Sequence, residues 1–113
     1  MNREYNYNVT LINFGSPRIG NQNFVYDFFK YPITTKRITH YYDMVPHLPQ
    51  NKLGYLHIPN EIWYNEDNTK YIICNDNVDE EDNICSNSCA PLNCKSVSDH
   101  LNYLNTTMGT NNC

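Results

Sequence analysis

The arrangement of apolar residues in the first third of the chain is the feature that most limits its fold. Val9–Phe14 is a short apolar run with β-branched residues, followed by a Gly-Ser-Pro turn, which predicts a buried strand. Asn21 then precedes apolar residues at helical spacing, which predicts a helix capped by Asn21 and ended by Pro32. Residues 35–42 predict a second strand. Strand, helix and strand in this order form the unit of a parallel sheet, so the predicted fold class is α/β.

The chain after the second predicted strand has a different character. Residues 45–49 contain two prolines and are predicted to form an extended loop, because a proline biases the residue before it away from helix. Residues 56–64 and 70–73 could form a hairpin around an intervening polar turn. The acidic, cysteine-containing stretch 75–93 is predicted to be a loop, and a short helix is predicted to begin near Ser98.

Composition and charge exclude two classes of protein. The chain has 113 residues, of which 40% are hydrophobic, and this suffices for one modest domain. The net charge is −4 and the 8 basic residues do not cluster, so no nucleic-acid partner is expected. No apolar run approaches the roughly 20 residues that cross a bilayer, so no transmembrane segment is expected.

The cysteines allow two kinds of stabilisation. Four of the five lie within 21 positions, namely Cys74, Cys85, Cys89 and Cys94, and the fifth is Cys113. Such crowding in a loop indicates either disulfides formed in an oxidising compartment or a metal site. The spacing Cys85-x3-Cys89-x4-Cys94-x5-His100 offers four potential zinc ligands, although it matches no common zinc finger.

Five short motifs occur in order along the chain. They are Gly-Ser-Pro-Arg-Ile-Gly-Asn at residues 15–21, Asp-Met-Val-Pro-His-Leu-Pro at 43–49, Gly-Tyr-Leu-His at 54–57 with Glu61 and Trp63 downstream, Cys74 with Cys-Ser-Asn-Ser at 85–88, and Asp-His-Leu-Asn-Tyr at 99–103. In this order they resemble the C-terminal part of the fungal-type (class three) triacylglycerol lipases, over residues 9–113. The resemblance implies that residues 1–113 are the C-terminal portion of an α/β-hydrolase domain, a mainly parallel sheet flanked by helices that is incomplete in this chain.

The resemblance implies a catalytic role for two residues. Asp43 would be the acid of a Ser-Asp-His triad and His100 its base, in the chain order that α/β-hydrolases use. Asp43 also follows the second predicted strand, where open α/β sheets place catalytic groups. In such a triad the histidine takes the proton of the serine, while the carboxylate orients the imidazole and stabilises its charged form.

The other histidines and a neighbouring carboxylate are interpreted as structural. His40 lies inside the second predicted strand, and His47 lies between two prolines in a loop. By the resemblance, His57 belongs to a structural strand. Asp99 is adjacent to His100, and neighbouring side chains on a helix do not face each other, so Asp99 or Ser98 is predicted to cap the helix instead.

The resemblance also assigns the cysteines and a pocket for the acyl chain. Related lipases have a disulfide at the positions of Cys74 and Cys85, whereas Cys89 and Cys94 have no counterpart and could pair with each other. Cys113 matches a terminal cysteine whose partner lies near the N-terminus in some relatives. Three apolar residues beside the catalytic groups are candidates for the acyl-chain pocket, with the core as the alternative: Val45, Leu48 and Leu101.

The nucleophile is what the motifs lack. A nucleophile elbow needs Gly-x-Ser-x-Gly, and no serine of this chain has glycine at both the minus-two and the plus-two position. In the family, the elbow, the oxyanion-hole loop and the lid precede the matching region. We therefore expect part of a secreted serine ester hydrolase that acts on lipid esters at an oil–water interface. It should be inactive without the N-terminal part of the same domain, and it should need no cofactor.

Two alternatives remain open from the sequence. One is a noncatalytic small binding module stabilised by disulfides or by zinc, which metal analysis of protein made under oxidising conditions would distinguish. The other is a noncatalytic relative that keeps the fold and binds lipid or a partner. A Gly-x-Ser-x-Gly sequence encoded just ahead of residue 1 would exclude it.

Overall fold

The structure is a computed structural model that describes residues 7–109. Its central element is a β-sheet. Its four strands lie side by side in the order β1-β2-β3-β4, and their bounds are Val9–Phe14, Ile33–His40, Glu61–Tyr64 and Tyr71–Ile73. β1 and β3 both run parallel to β2, whereas β4 runs antiparallel to β3. The mainly parallel α/β architecture predicted from the sequence is therefore confirmed.

Helix α1, Gln22–Phe28, connects β1 to β2 as predicted. The side-chain oxygen of Asn21 accepts a hydrogen bond from the backbone N–H of Phe24 at 3.0 Å, so Asn21 is the N-cap. β2 ends at His40, earlier than predicted. It ends there because Tyr41 has a φ of +36°, outside the extended conformation that a strand requires.

The predicted hairpin of β3 and β4 is present, but its first strand is shorter than expected. β3 begins at Glu61, and a loop precedes it in which Asn60 has a φ of +75°. His57 lies in this loop and not on a strand, which corrects its assignment. Its ring Nε2 donates to the carbonyl oxygen of Pro46 at 2.5 Å. Burial and the charge of Arg37 lower the pKa of His57 to about 3, so the ring is neutral at pH 7.

The segment 45–49 is not an extended loop, contrary to the prediction. Val45–His47 forms one turn of 3-10 helix, and Pro46 lies in its first turn, where the missing N–H costs no hydrogen bond. Two further 3-10 turns occupy Asn51–Leu53 and Ser86–Cys89, the second of them within the acidic loop.

Helix α2, Val97–His100, begins slightly earlier than predicted, and its N-cap is Ser96. The hydroxyl of Ser96 accepts a hydrogen bond from the backbone N–H of Asp99 at 2.9 Å. The prediction of Ser98 or Asp99 as the cap is wrong, because the helix begins upstream of both. A two-stranded antiparallel sheet follows, with β5 at Asn102–Tyr103 and β6 at Thr106–Thr107. No helix within residues 7–109 has the length and apolar character to cross a bilayer.

Two disulfides close the cysteine-rich loop. They join Cys74 to Cys85, as the family resemblance implies, and Cys89 to Cys94, a pairing that the sequence left open. The zinc quartet considered above is not assembled, because Cys85 is bonded to Cys74 and His100 contacts Asp43. Cys113 lies outside the described residues.

A buried ion pair fastens the acidic loop to the turn after β1. The guanidinium of Arg18 donates to both carboxylate oxygens of Glu81, at 2.8 and 2.7 Å, and to the carbonyl oxygen of Pro49 at 3.0 Å. Glu81 also accepts from the backbone N–H of His57 and from the amide of Asn87, each at 2.9 Å. Burial is the largest influence on Glu81 and by itself would raise its pKa. The hydrogen bonds from Arg18 and Asn87 and the nearby positive charge together outweigh burial and hold that pKa below its ordinary value.

A second buried pair joins β2 to β3 and to the disulfide loop. The guanidinium of Arg37 lies 3.6 Å from a carboxylate oxygen of Glu61 and donates to the carbonyl oxygen of Ile58 at 3.1 Å. The other carboxylate oxygen of Glu61 accepts from the hydroxyl of Thr39 at 2.7 Å and from the hydroxyl of Ser86. Burial raises the pKa of Glu61, and the charge of Arg37 opposes that rise. These contacts place the loop after β4 against the parallel strands.

β1 lies at one edge of the sheet and presents apolar side chains to solvent on both faces, since neighbouring strand residues point to opposite sides. Leu11 is 37% exposed and Ile12 is 50% exposed. Val9–Phe14 is a strand as predicted, but the prediction that this strand is buried is wrong for the described residues, because β1 is an edge strand with exposed side chains.

The first prediction concerns the pair of Arg18 and Glu81. Glu81→Gln should lower the free energy of unfolding by about 3 kcal/mol or more, because it leaves the charge of Arg18 buried and unpaired. Chemical denaturation measures the change. Asp27→Asn is the matched control, because it breaks the exposed pair of Asp27 with Lys30, and it should cost less than about 1 kcal/mol. Equal losses in the two variants would contradict the role of the buried pair.

Candidate functional site

Asp43 is placed next to α2 by a short stretch of backbone pairing. Asp43 forms an isolated parallel bridge with Ser96, the residue that caps α2. The backbone N–H of Ser96 donates to the carbonyl oxygen of Tyr42 at 3.0 Å, and that of Met44 donates to the carbonyl oxygen of Ser96 at 3.3 Å. Because α2 starts at this bridge, His100 at its end comes to lie over the segment that follows β2.

The carboxylate of Asp43 meets the imidazole of His100. Oδ2 of Asp43 lies 2.9 Å from Nδ1 of His100. The side chain of Asp43 is 1% exposed, whereas that of His100 is 33% exposed. With Asp43 ionised, Nδ1 carries the proton and the lone pair of the imidazole is on Nε2. Within residues 7–109, Nε2 of His100 makes no hydrogen bond, so it is free to accept a proton from a hydroxyl group.

Two further donors hold the carboxylate. The backbone N–H of Val45 donates to Oδ1 of Asp43 at 2.8 Å, and the hydroxyl of Tyr103 donates to Oδ2 at 2.6 Å. Tyr103 is 1% exposed, and burial together with the nearby charge of Asp43 raises its pKa, so it remains a neutral donor. Sequence analysis did not assign Tyr103 to the site. Its position as the last residue of the Asp-His-Leu-x-Tyr motif was the available signal.

The backbone of Gly15 lies close to the side chains of the same site. It follows β1 with a φ of +62°, and a Cβ atom there would lie 2.8 Å from Oδ2 of Asp43 and 2.8 Å from the hydroxyl oxygen of Tyr103. It would also lie 3.0 Å from Nδ1 of His100. The first motif therefore supplies a close approach of backbone to the acid and the histidine, and not only a turn.

His40 and Asp99 hold α2 in place through contacts with backbone groups. His40 is buried, and its ring nitrogens lie 2.9 Å from the carbonyl oxygen of Asp99 and 2.8 Å from that of Glu66. Both nitrogens of His40 are thus engaged by backbone. The carboxylate of Asp99 accepts from the backbone N–H of Tyr42 at 3.2 Å. The helix that carries His100 is therefore tied to the end of β2 and to the β3–β4 turn.

Of the three residues predicted for the acyl-chain pocket, Leu48 lines a cleft that the other two do not line. Leu48 is 42% exposed and borders this cleft of about 360 Å³, together with His47. Val45 and Leu101 are not among the residues that line this cleft. Leu101 is 39% exposed and follows directly after α2. The acyl-chain pocket stays a prediction.

Two clusters in the described part of the chain bring together side chains that can ligate metal. One consists of His47, Cys89 and Cys94, and the other of Glu61, Cys74 and Cys85. Neither includes Asp43 or His100. In both clusters the two sulfur atoms are joined to each other as disulfides.

The close approach at Gly15 generates the second prediction. Gly15→Ala should displace the carboxylate of Asp43 or the ring of His100, and it should destabilise the fold more than Gly54→Ala does. Gly54 is the matched control, because it also has a positive φ, +92°, but a Cβ there meets nothing within 4 Å. Thermal denaturation of both variants, with NMR titration of the His100 ring, measures the difference. Equal destabilisation with an unchanged His100 titration would contradict the steric argument.

The amino-acid sequence of the chain is similar to that of fungal lipases. The family model of lipase (class 3) matches residues 1–53. The lipase of Rhizopus niveus is 34% identical over 103 residues, which is 91% of this chain and 25% of that protein. The lipase of Rhizomucor miehei is 33% identical over 103 residues, which is 90% of this chain and 27% of that protein. The chain thus spans about a quarter of the length of these curated relatives.

Solved structures of such lipases share the fold. Lipase II from Rhizopus niveus superposes with a TM-score of 0.81 at 32% identity, covering 93% of this chain and 39% of that one. A triacylglycerol lipase whose catalytic centre is formed by a serine protease triad gives a TM-score of 0.81 at 33% identity, covering 95% and 40%. With five ordered motifs, the parallel sheet and these relatives in agreement, the chain belongs to the family of fungal class 3 lipases, which have the α/β-hydrolase fold.

Proposed function

We propose that this chain supplies the acid, Asp43, and the base, His100, of a Ser-His-Asp triad in an enzyme that hydrolyses lipid esters. The observation that carries the proposal is the 2.9 Å contact between the buried carboxylate and Nδ1, which leaves Nε2 of a partly exposed imidazole without a partner in the described residues. This is the arrangement that nucleophilic catalysis by a hydroxyl requires.

In the proposed reaction, Nε2 of His100 accepts the proton of a serine hydroxyl as the serine oxygen attacks the ester carbonyl carbon. The imidazolium then gives this proton to the departing alcohol, and an acyl-enzyme remains. Water, deprotonated by the same Nε2, hydrolyses the acyl-enzyme and restores the serine. Asp43 holds the tautomer and stabilises the imidazolium. The hydroxyl of Tyr103 and the N–H of Val45 keep the carboxylate in place.

The serine of the triad is proposed to come from a Gly-x-Ser-x-Gly segment of the whole protein outside these 113 residues. No serine here has the flanking glycines, and the chain spans only about a quarter of its curated relatives. The proposed substrates are triacylglycerols, because a structural relative at 33% identity is a triacylglycerol lipase. Two disulfides support a secreted location, since such bonds persist in oxidising surroundings.

The third prediction tests the roles of the acid and the base. In a protein that joins these residues to a Gly-x-Ser-x-Gly segment, Asp43→Ala or His100→Ala should lower kcat by about 10⁴-fold, because serine then lacks its base or the base lacks its orientation. Steady-state hydrolysis of a short-chain ester measures this. The exposed Asp27→Ala should leave kcat unchanged, and His57→Ala should act mainly through stability. Loss of turnover in folded His57→Ala, with His100→Ala still active, would overturn the assignment of the base.

The fourth prediction concerns the 113-residue chain by itself. It should hydrolyse a short-chain ester no faster than buffer, because its histidine has no activated serine and the developing oxyanion has no assigned donors. The serine that directly follows Gly15 is Ser16, and its hydroxyl donates to the carbonyl oxygen of Pro17 at 3.0 Å. Robust turnover by the purified chain that disappears in Ser16→Ala would contradict the proposed external nucleophile.

A further inference from the structure

A histidine and a disulfide lie together beside the cleft next to Leu48. Nε2 of His47 is 3.5 Å from Sγ of Cys89, and the ligand atoms of His47, Cys89 and Cys94 all lie within 4.8 Å of one another. Cys89 is 2% exposed, whereas Cys94 is partly exposed and lines the cleft. The proposed ester hydrolysis uses none of these three side chains.

The side chain of His47 makes no other hydrogen bond in the described part of the chain. Its Nδ1 is buried and has no hydrogen-bond partner there, and its Nε2 faces the sulfur of Cys89. Imidazole binds a metal ion through a ring nitrogen, and neither ring nitrogen of His47 bonds a nitrogen or oxygen atom in the described residues.

The separation of the ligand atoms fits zinc. Zn–S bonds of about 2.3 Å and Zn–N bonds of about 2.0–2.1 Å at tetrahedral angles place sulfur and nitrogen about 3.5 Å apart. This is the distance already present between Cys89 and His47. The sulfur atoms of Cys89 and Cys94 would need to separate to about 3.7 Å, which requires that the disulfide first be reduced.

The cleft gives this cluster access to solvent. It has a volume of about 360 Å³, and both His47 and Cys94 line it. A reductant can therefore approach Cys94 although Cys89 is buried. A water molecule from the same cleft can complete a four-coordinate site that has three protein ligands.

We propose that His47, Cys89 and Cys94 form a Zn²⁺ site. The site cannot bind Zn²⁺ while the disulfide is intact, and it becomes able to bind the ion when a thiol or phosphine reductant cleaves the disulfide. Reduction adds two electrons and two protons, breaks the S–S bond and yields two thiols. Zn²⁺ then binds both sulfurs as thiolates, and the two thiol protons pass to the solvent. Cys89 and Cys94 are five positions apart, and the metal ion would then replace the disulfide as the link between them.

The other cluster is a weaker candidate because its carboxylate is already engaged. One oxygen of Glu61 accepts hydrogen bonds from Thr39 and Ser86, and the other lies 3.6 Å from the guanidinium of Arg37. Binding a metal through Glu61, Cys74 and Cys85 would break a buried polar network. The experiment must nevertheless distinguish the two clusters.

The test uses the 113-residue chain with Cys113→Ser, reduced with a phosphine and titrated with Co²⁺ as the spectroscopic substitute for Zn²⁺. The reduced protein should show the near-ultraviolet charge-transfer band of a cobalt thiolate and visible bands of tetrahedral cobalt, and the oxidised protein should show neither. His47→Ala should weaken Co²⁺ binding about tenfold or more, because loss of a ligand costs at least as much as loss of its supporting contacts. The double variant Cys74→Ser, Cys85→Ser is the matched control and should retain the bands.

If reduction unfolds the chain, thermal denaturation with and without Zn²⁺ tests the same site. Zn²⁺ should raise the Tm of the reduced protein, or restore its folding, and it should do so much less in His47→Ala. Retention of the cobalt bands in His47→Ala with their loss in the Cys74→Ser, Cys85→Ser variant would overturn the proposal in favour of the other cluster. Reduced protein that gives no cobalt bands and no rise in Tm with Zn²⁺ would overturn it altogether.

Discussion

The carboxylate of Asp43 accepts hydrogen bonds from three segments of the chain at once. Val45 lies in the turn after β2, His100 at the end of α2 and Tyr103 on β5. A buried carboxylate is costly unless its oxygens are satisfied, so these three donors are required for the burial as well as for the site. The same contacts close the C-terminal part of the chain onto the sheet, and Gly15 allows them because it has no side chain to obstruct them.

Buried charge pairs position the rest of the molecule around that carboxylate. The pair of Arg18 and Glu81 holds the acidic loop against the turn after β1, and the pair of Arg37 and Glu61 holds β2 against β3. Each pair is supported by neutral donors and by backbone carbonyl groups, which lowers the cost of burying its charges, although Nη1 of Arg37 has no hydrogen-bond partner among the described residues. The described residues have a small apolar core, and buried polar contacts of this kind hold many of the strands and loops against one another.

Sequence reasoning succeeded where local signals were strong. The strand at Val9–Phe14, the cap at Asn21 and the parallel sheet followed from apolar periodicity and from the capping preference of asparagine. It failed at the ends of strands, where a single positive φ angle decides whether the strand continues. The two examples are Tyr41, just after β2, and Asn60, just before β3. It also failed for His57, because a buried loop held by a carbonyl group has no distinct pattern in a sequence.

By itself, the sequence determined the α/β class and the order of the family motifs, because both depend on residue type and spacing along the chain. The cysteines could have formed disulfides or a metal site, and only the tertiary structure decided that they pair as disulfides. Only the tertiary structure decided that Tyr103 and Gly15 belong to the site, and that His47 lies beside the disulfide of Cys89 and Cys94. Such contacts join residues far apart in the chain, and their distances are set by how the sheet, the turns and the buried charge pairs pack together.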